Sequence, residues 1–383
     1  MKISLGFVPV AAMTVSLVVG ACVMLIPFNP TAPASFQTGK PELQLPGAGE
    51  LCSPFAGIVS AEDLQADHQR RRVFISALDR EAGKDARGSV HILNIDDPLS
   101  SATWHDGTNG VPAKFRPSGL SFFENGDVTR LFVVNTAVPG IELFDVADTG
   151  TMTHLETFLD PRLNSPKDIV ATGPRSFYVT SNTGADRETP LGRLQTIIRA
   201  PFGQIFHFNG VSWSVATEGL RFANGLALSP DGNFLYATES AGRALRVYAR
   251  NESNGVLTYQ FSRGLPGDGE NINVTPSGDI LIATNSKQRA VPIFNNAENS
   301  DTRAMVLKFS APDLLLQSAE TRGARPQSAG SQSAEPRGAI ETKPLYQLDG
   351  DQISAATVAD SIDGQMFIGS SSQDSFLICR NAA

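Results

Sequence analysis

Five times the chain sets a glycine turn directly ahead of an apolar run, and this repeat limits the fold more than any other feature. The segments are FENGDVTRLFVV, VATGPRSFYVT, LSPDGNFLYAT, VTPSGDILIAT and DSIDGQMFIGS, with Gly126, Gly173, Gly232, Gly278 and Gly364 at the turns. The first and third steps between these glycines give a unit of roughly 45 residues, the length of a four-stranded propeller blade. The longer steps leave room for insertions or for a blade without this turn. HQRRRVFIS reads as a degenerate sixth member. RVFISAL, VHILNI, RLFVVNT, IELFDV, SFYVTSN, QIFHFNG, NFLYATE, ALRVYAR, DILIATN, AMVLKFS and QMFIGSS all have strand length and strand composition. No helical segment competes with them, and 34 Gly with 24 Pro suits a turn-rich chain. The chain therefore reads as all-β, a six-bladed β-propeller over residues 51–383, with a β-sandwich as the alternative.

Ahead of that domain, Lys2 is followed by an uncharged, mostly apolar run from Ile3 to about Phe28. Such a run approaches the ~20 residues that span a bilayer core as a helix. Residues 1–28 are expected to be a hydrophobic leader helix: an uncleaved anchor, a cleaved signal peptide, or a lipoprotein leader ending in VGAC at Cys22. Each places the body of the protein outside the cytosol, membrane-anchored or secreted, and the retained forms contact a membrane through this segment. Residues 29–50, rich in Pro, Ala and Gly, read as a linker. About 317–343, the hydrophobic-poor repeats of QSAE and RGA read as a flexible surface insertion.

Three cysteines exist, and Cys22 lies in the leader. Cys52 and Cys379 stand at opposite ends of the folded part, so a bridge between them would close nearly the whole domain into one ring. An oxidising compartment favours that bridge over two unpaired thiols. A net charge of −8 provides no basic surface for phosphates, which excludes nucleic acid as a partner.

Propellers gather function at one mouth of a central channel, so candidate residues should recur at matching positions in several blades. Glu62 and Asp63 in SAEDL, Lys167 and Asp168 in SPKDIVATG, Asn224 in FANGLALSPDG, and Glu270 with Asn271 in GENINVTPSG each stand just before a short apolar strand. Singly, acidic and amide residues there are turn formers or caps. Together, Glu62, Asn224, Glu270 and Asn271 are oxygen donors of the kind a hard cation such as calcium collects, six to eight at a time. No Walker loop, G-x-S-x-G, H-E-x-x-H or C-x-x-C motif offers a competing site.

CSPFAGIVSAEDLQ, NSPKDIVATGPRSFYVTSN, LRFANGLALSPDGNFLYATESAGRALRVYAR, ENINVTPSGDILIAT and TVADSIDGQMFIGSSSQDSFLIC resemble, in this order, the paraoxonase/arylesterase family of calcium-dependent lactonases. The resemblance runs from about Leu51 to Cys379. It implies a six-bladed propeller with a disulfide between its ends, a hydrophobic leader and two calcium ions in the channel. Carried over by position, Glu62, Asn224, Glu270 and Asn271 would hold a catalytic calcium, with Glu270 replacing an aspartate. Asp63 and Asp168 would hold a structural calcium by their side chains and Leu120 by its backbone carbonyl. Two departures stand out. Lys167 occupies the place of an asparagine ligand and, when protonated, has no lone pair to give. Ser118 and Thr136 occupy the places of the family's channel histidines, and neither is a base near neutral pH unaided. The lysine either projects elsewhere, supplies its ammonium in a cation's stead, or marks a site that has lost one metal.

The function this implies is calcium-dependent hydrolysis of small-molecule lactones or aryl esters, with Glu270 as the base that activates water. The alternatives are a non-catalytic extracytoplasmic propeller that keeps only a structural calcium and binds a small molecule or a protein, and a metal-free relative similar to strictosidine synthase propellers.

Overall fold

The first strand, β1 (Cys52–Ala56), pairs with the last one, and this closes a ring. The computed structural model describes residues 52–83, 85–96, 104–106 (backbone only), 110–186, 189–286, 304–310, 344–348, 353 and 355–380. The expected leader, linker and insertion about 317–343 lie outside the described residues. Blade 1 consists of β2 (Ala61–Asp67), β3 (Arg72–Ala77), β4 (Ser89–Asn94) and β5 (Trp104–Asp106). Blade 2 holds β6 (Pro117–Asn125), β7 (Val128–Asn135), β8 (Gly140–Val146) and β9 (Met152–Phe158). Blade 3 holds β10 (Pro166–Gly173), β11 (Ser176–Ser181), β12 (Gly203–Phe208) and β13 (Trp213–Leu220). Blade 4 holds β14 (Ala223–Leu228), β15 (Phe234–Glu239), β16 (Ala244–Arg250) and β17 (Leu257–Gly264). Blade 5 holds β18 (Asp268–Val274), β19 (Asp279–Asn285), β20 (Ala304–Ser310) and β21 (Pro344–Leu348). Blade 6 holds β22 (Val358–Ile362), β23 (Gln365–Gly369) and β24 (Ser375–Arg380), with β1 as its outer strand. All strand pairs are antiparallel.

The first strand of each blade touches the first strand of the next, β2 to β6, β10, β14, β18 and β22, and back to β2. The protein is therefore a six-bladed β-propeller. The glycine turns of the repeat join the first and second strands of their blades. Gly126, Gly232, Gly278 and Gly364 take φ of 58°, 70°, 85° and 84° there, a region that favours glycine, and Arg71 takes the equivalent strain in blade 1 with φ 51°.

The core is divided among the joints. Phe74, Val90, Leu131 and Phe144 fill the joint between blades 1 and 2, and Phe132, Phe158, Phe177 and Phe206 the next. Tyr178, Leu226 and Leu235 join blades 3 and 4, while Tyr236, Val247, Ile272 and Ile282 join 4 and 5. Val306 and Ile368 join 5 and 6, and Val73 and Phe367 close 6 onto 1. Second and third strands are thus covered on both faces, which is why they read as near-continuous apolar runs.

One short helix, α1 (Pro190–Ile198), interrupts blade 3 between β11 and β12. Thr189 caps it, its Oγ1 accepting from Gly192 N at 3.1 Å. Leu191, Leu194, Ile197 and Ile198 stay exposed on it. Among the described residues no helix is long and apolar enough to cross a membrane.

Cys52 and Cys379 face each other across β1 and β24 and are joined as a disulfide, 327 residues apart in sequence. The ring is therefore closed covalently as well as by hydrogen bonds. Replacing both cysteines with serine should lower unfolding stability by about 2–5 kcal/mol. Guanidinium titrations check this, and reductant should bring the parent protein down to the level of the variant.

Candidate functional site

Five of the inner strands carry one extra residue near their N-terminal ends. Register slips between Ala61 and Asp63, Pro117 and Leu120, Pro166 and Ile169, Ala223 and Leu226, and Gly269 and Ile272, so five of the six first strands are bulged. A bulge turns side chains away from the regular alternation and aims them into the channel. The residues in the bulges are Glu62, Ser118, Lys167 with Asp168, Asn224, and Glu270 with Asn271. The sequence reading put the candidates just ahead of the strands; they lie inside β2, β10, β14 and β18.

Each bulge leaves an N–H without its ladder partner, and hydroxyls on the second strands accept three of them. Asp63 N donates to Ser76 Oγ at 3.1 Å, Asp168 N to Thr180 Oγ1 at 3.0 Å, and Gly225 N to Thr238 Oγ1 at 2.8 Å. The same threonines donate onward to the next blade, Thr180 to Asn224 O at 2.7 Å and Thr238 to Glu270 O at 2.6 Å. In blade 5, Asn271 N donates to Thr357 O at 3.0 Å. Sequence reasoning missed these residues. Their signal was present, because YVTS, YATE and IATN repeat a threonine at the same step of the second strand. Neighbouring backbones come close at the bulges: a Cβ on Gly225 would stand 2.7 Å from Glu270 O and 2.8 Å from Asn271 Cα.

Glu62, Asn224, Glu270 and Asn271 are all buried and are linked in series. Asn224 Nδ2 donates to Glu270 Oε2 at 2.8 Å and to Ser240 Oγ at 2.8 Å, and Asn271 Nδ2 donates to Glu62 O at 3.0 Å. The Oδ1 atoms of Asn224 and Asn271 are buried without a protein partner. Glu62 is held by two cations. Lys167 Nζ contacts its Oε1, and Arg80 Nη2, absent from the sequence-based set, lies 2.7 Å from its Oε2.

Asp63 and Asp168 form a second group. Burial raises the pKa of both: Asp63 well above the carboxylate range, with the Asp168 charge adding to the effect, and Asp168 to about 7. Backbone donors oppose this, Leu120 N to Asp63 Oδ2 at 2.6 Å and Leu226 N to Asp168 Oδ2 at 2.7 Å. Two carboxylates buried side by side fit a hard cation, which would let both ionise. Among the described residues no three His, Cys, Asp or Glu side chains converge on a metal position. Any ion here would thus complete its shell with amide and peptide oxygens. Of the two channel departures that the resemblance implies, Ser118 is buried, its Oγ donating to Lys167 O at 3.0 Å, while exposed Thr136 donates from Oγ1 to Arg116 O at 3.0 Å. Both close backbone contacts between or within blades.

The arylesterase family model matches residues 81–314, which include every candidate except Glu62, Asp63 and the two cysteines. The chain belongs to the arylesterase family. Within that family it is similar to serum paraoxonase/arylesterase 1 of Homo sapiens, 29% identical over 212 residues, 54% of this chain and 59% of that protein. Serum paraoxonase/arylesterase 2 of Gallus gallus is 24% identical over 291 residues, 74% of this chain and 75% of that one. The matched region spans 59% and 55% of the lengths of the two human relatives. In fold, this arylesterase-family chain is similar to a luciferin-regenerating enzyme, with TM-score 0.54 and 12% identity over 86% of this chain and 96% of that one. A gluconolactonase from Xanthomonas campestris gives TM-score 0.51 and 14% identity over 86% and 89%. At such identities the likeness is one of fold.

A third buried carboxylate, Asp360 on β22, accepts from Ala66 N and from Ser361 N, both at 2.8 Å, and burial raises its pKa to about 7. Because the folded form holds this proton more tightly than the unfolded chain, the contribution is complete below about pH 4 and is lost as pH rises to about 7. Asp360→Asn, whose side chain does not titrate, should therefore lose less Tm than the parent protein between pH 4 and pH 8, as calorimetry at the two pH values would show.

Proposed function

We propose that this arylesterase-family protein hydrolyses lactones or small carboxylic esters, aryl esters included, at the bulged mouth of its channel, and that it depends on calcium. Membership of the family supports the reaction class. The observation that carries the site is the buried Glu270 carboxylate, held by Asn224 and flanked by two amide oxygens without protein partners. Asp63 and Asp168 would hold the calcium, whose charge would let both ionise.

The hydrogen bond from Asn224 Nδ2 fixes the orientation of the Glu270 carboxylate. Water on the channel side gives its proton to Glu270 as its oxygen attacks the carbonyl carbon. The carbonyl oxygen takes up negative charge, offset by the positive charge of Lys167. The carbon–oxygen bond to the leaving group then breaks, and the proton passes from Glu270 to the departing alkoxide. A lactone opens to a hydroxy acid, and an aryl ester releases a phenol. The Cys52–Cys379 disulfide and the apolar leader support an extracytoplasmic location, secreted or anchored.

A second reading, a propeller that binds without turning over, is favoured by the cations on Glu62 and by Ser118 and Thr136, which supply no base. Glu270→Gln decides between them. It keeps the shape and the Asn224 contact but removes the base, and hydrolysis across a panel of lactones and phenyl esters should fall by roughly 10²–10⁴-fold. Unchanged turnover in the variant would overturn Glu270 as the base, and no turnover in the parent protein with calcium present would refute the hydrolase reading.

A further inference from the structure

The contact between Lys167 and Glu62 joins two bulges on blades that are not neighbours, across the channel. Glu62 is 1% exposed on β2 in blade 1, and Lys167, whose side chain is 17% exposed, comes from β10 in blade 3. With Arg80 Nη2 on the other oxygen, both oxygens of this carboxylate already face a positive charge. The lysine charge also acts on Asp63 and Asp168, partly countering the effect of burial on both. The ammonium thus stands among three buried carboxylates from two blades, the environment a channel cation needs.

We propose that the Lys167 ammonium is the resident cation of the group formed by Glu62, Asn224, Glu270 and Asn271, taking the place of a divalent ion there. Three features support it. Glu62 is engaged and cannot serve an ion without releasing the lysine. A divalent ion beside the ammonium would be repelled at short range in a site of low dielectric. An ammonium has three donors, and Glu62 takes one; the other two have no partner among the described residues and are available to a substrate carbonyl oxygen or to the buried amide oxygens. This deepens the hydrolase reading by naming what faces the carbonyl, but its test is a count of ions.

Lys167→Asn and Lys167→Met both remove the charge, and only the first adds an oxygen donor. The full-length protein and both variants are stripped with chelator, titrated with calcium by calorimetry, and assayed for bound metal by mass spectrometry. Far-ultraviolet circular dichroism confirms that each is folded, and having two variants covers the failure of one to fold. Each folded variant should bind one more calcium ion than the parent protein. Equal stoichiometry in parent and folded variants would overturn the proposal, whether the shared count is one ion or two. Variants that gain the ion while the calcium-loaded parent protein hydrolyses nothing uphold this inference and sink the hydrolase reading, so the two fail separately.

Discussion

One extra residue in five of the six inner strands is the constraint on which the rest of the structure depends. A regular first strand would alternate its side chains between the two neighbouring blades and present little to the channel. The bulge breaks that alternation and frees a backbone N–H, which cannot be buried unpaired without a cost of about 1–3 kcal/mol. Ser76, Thr180 and Thr238 meet the need from the second strands, and Thr180 and Thr238 then pass a hydrogen bond to the next blade. The bulges are therefore coupled around the ring, and the site is as rigid as the joints beneath it.

Charge is the second constraint. Glu62, Asp63, Asp168 and Glu270 are all buried at one end of the ring. Burying carboxylate charge is costly, and the protein supplies Lys167 and Arg80 to one of the four. Asp63 and Asp168 hold instead to backbone N–H donors, with pKa values pushed upward by burial. That asymmetry separates a group with built-in positive charge from a pair that calls for an external ion.

Much of this was legible in the sequence because the repeat reports on strands buried on both faces. The apolar runs that stood out are the second and third strands of the blades, with their glycine turns. The outer strands were not legible: MTHLETF in β9 and LTYQFSRG in β17 are packed on one side only and mix polar with apolar residues. Nor were the inner ones recognised as strands, since AEDLQAD and DGENINV carry acids and amides that a local reading assigns to turns. Resemblance found Glu62, Asp63, Asp168, Asn224, Glu270 and Asn271 as a set. It gave no role to Arg80, which reaches Glu62 from an exposed position after β3 with no recurring pattern around it.

The destination of the Lys167 side chain is the part no sequence argument reaches, and it bears on what the site can do. A bulge that places residues 167 and 168 side by side lets one side chain reach Glu62 while the other accepts from Leu226 N of the next blade. An ammonium differs from a divalent ion in kind: it carries a single charge and delivers it through directional N–H donors. Its help to a developing oxyanion depends on where the substrate oxygen sits relative to those donors. With a weaker electrophile facing the carbonyl, more of the driving force must come from the substrate, through ring strain in a lactone or a stable phenolate as leaving group. On the proposed hydrolase reading, this channel would therefore suit acyl groups that are already activated.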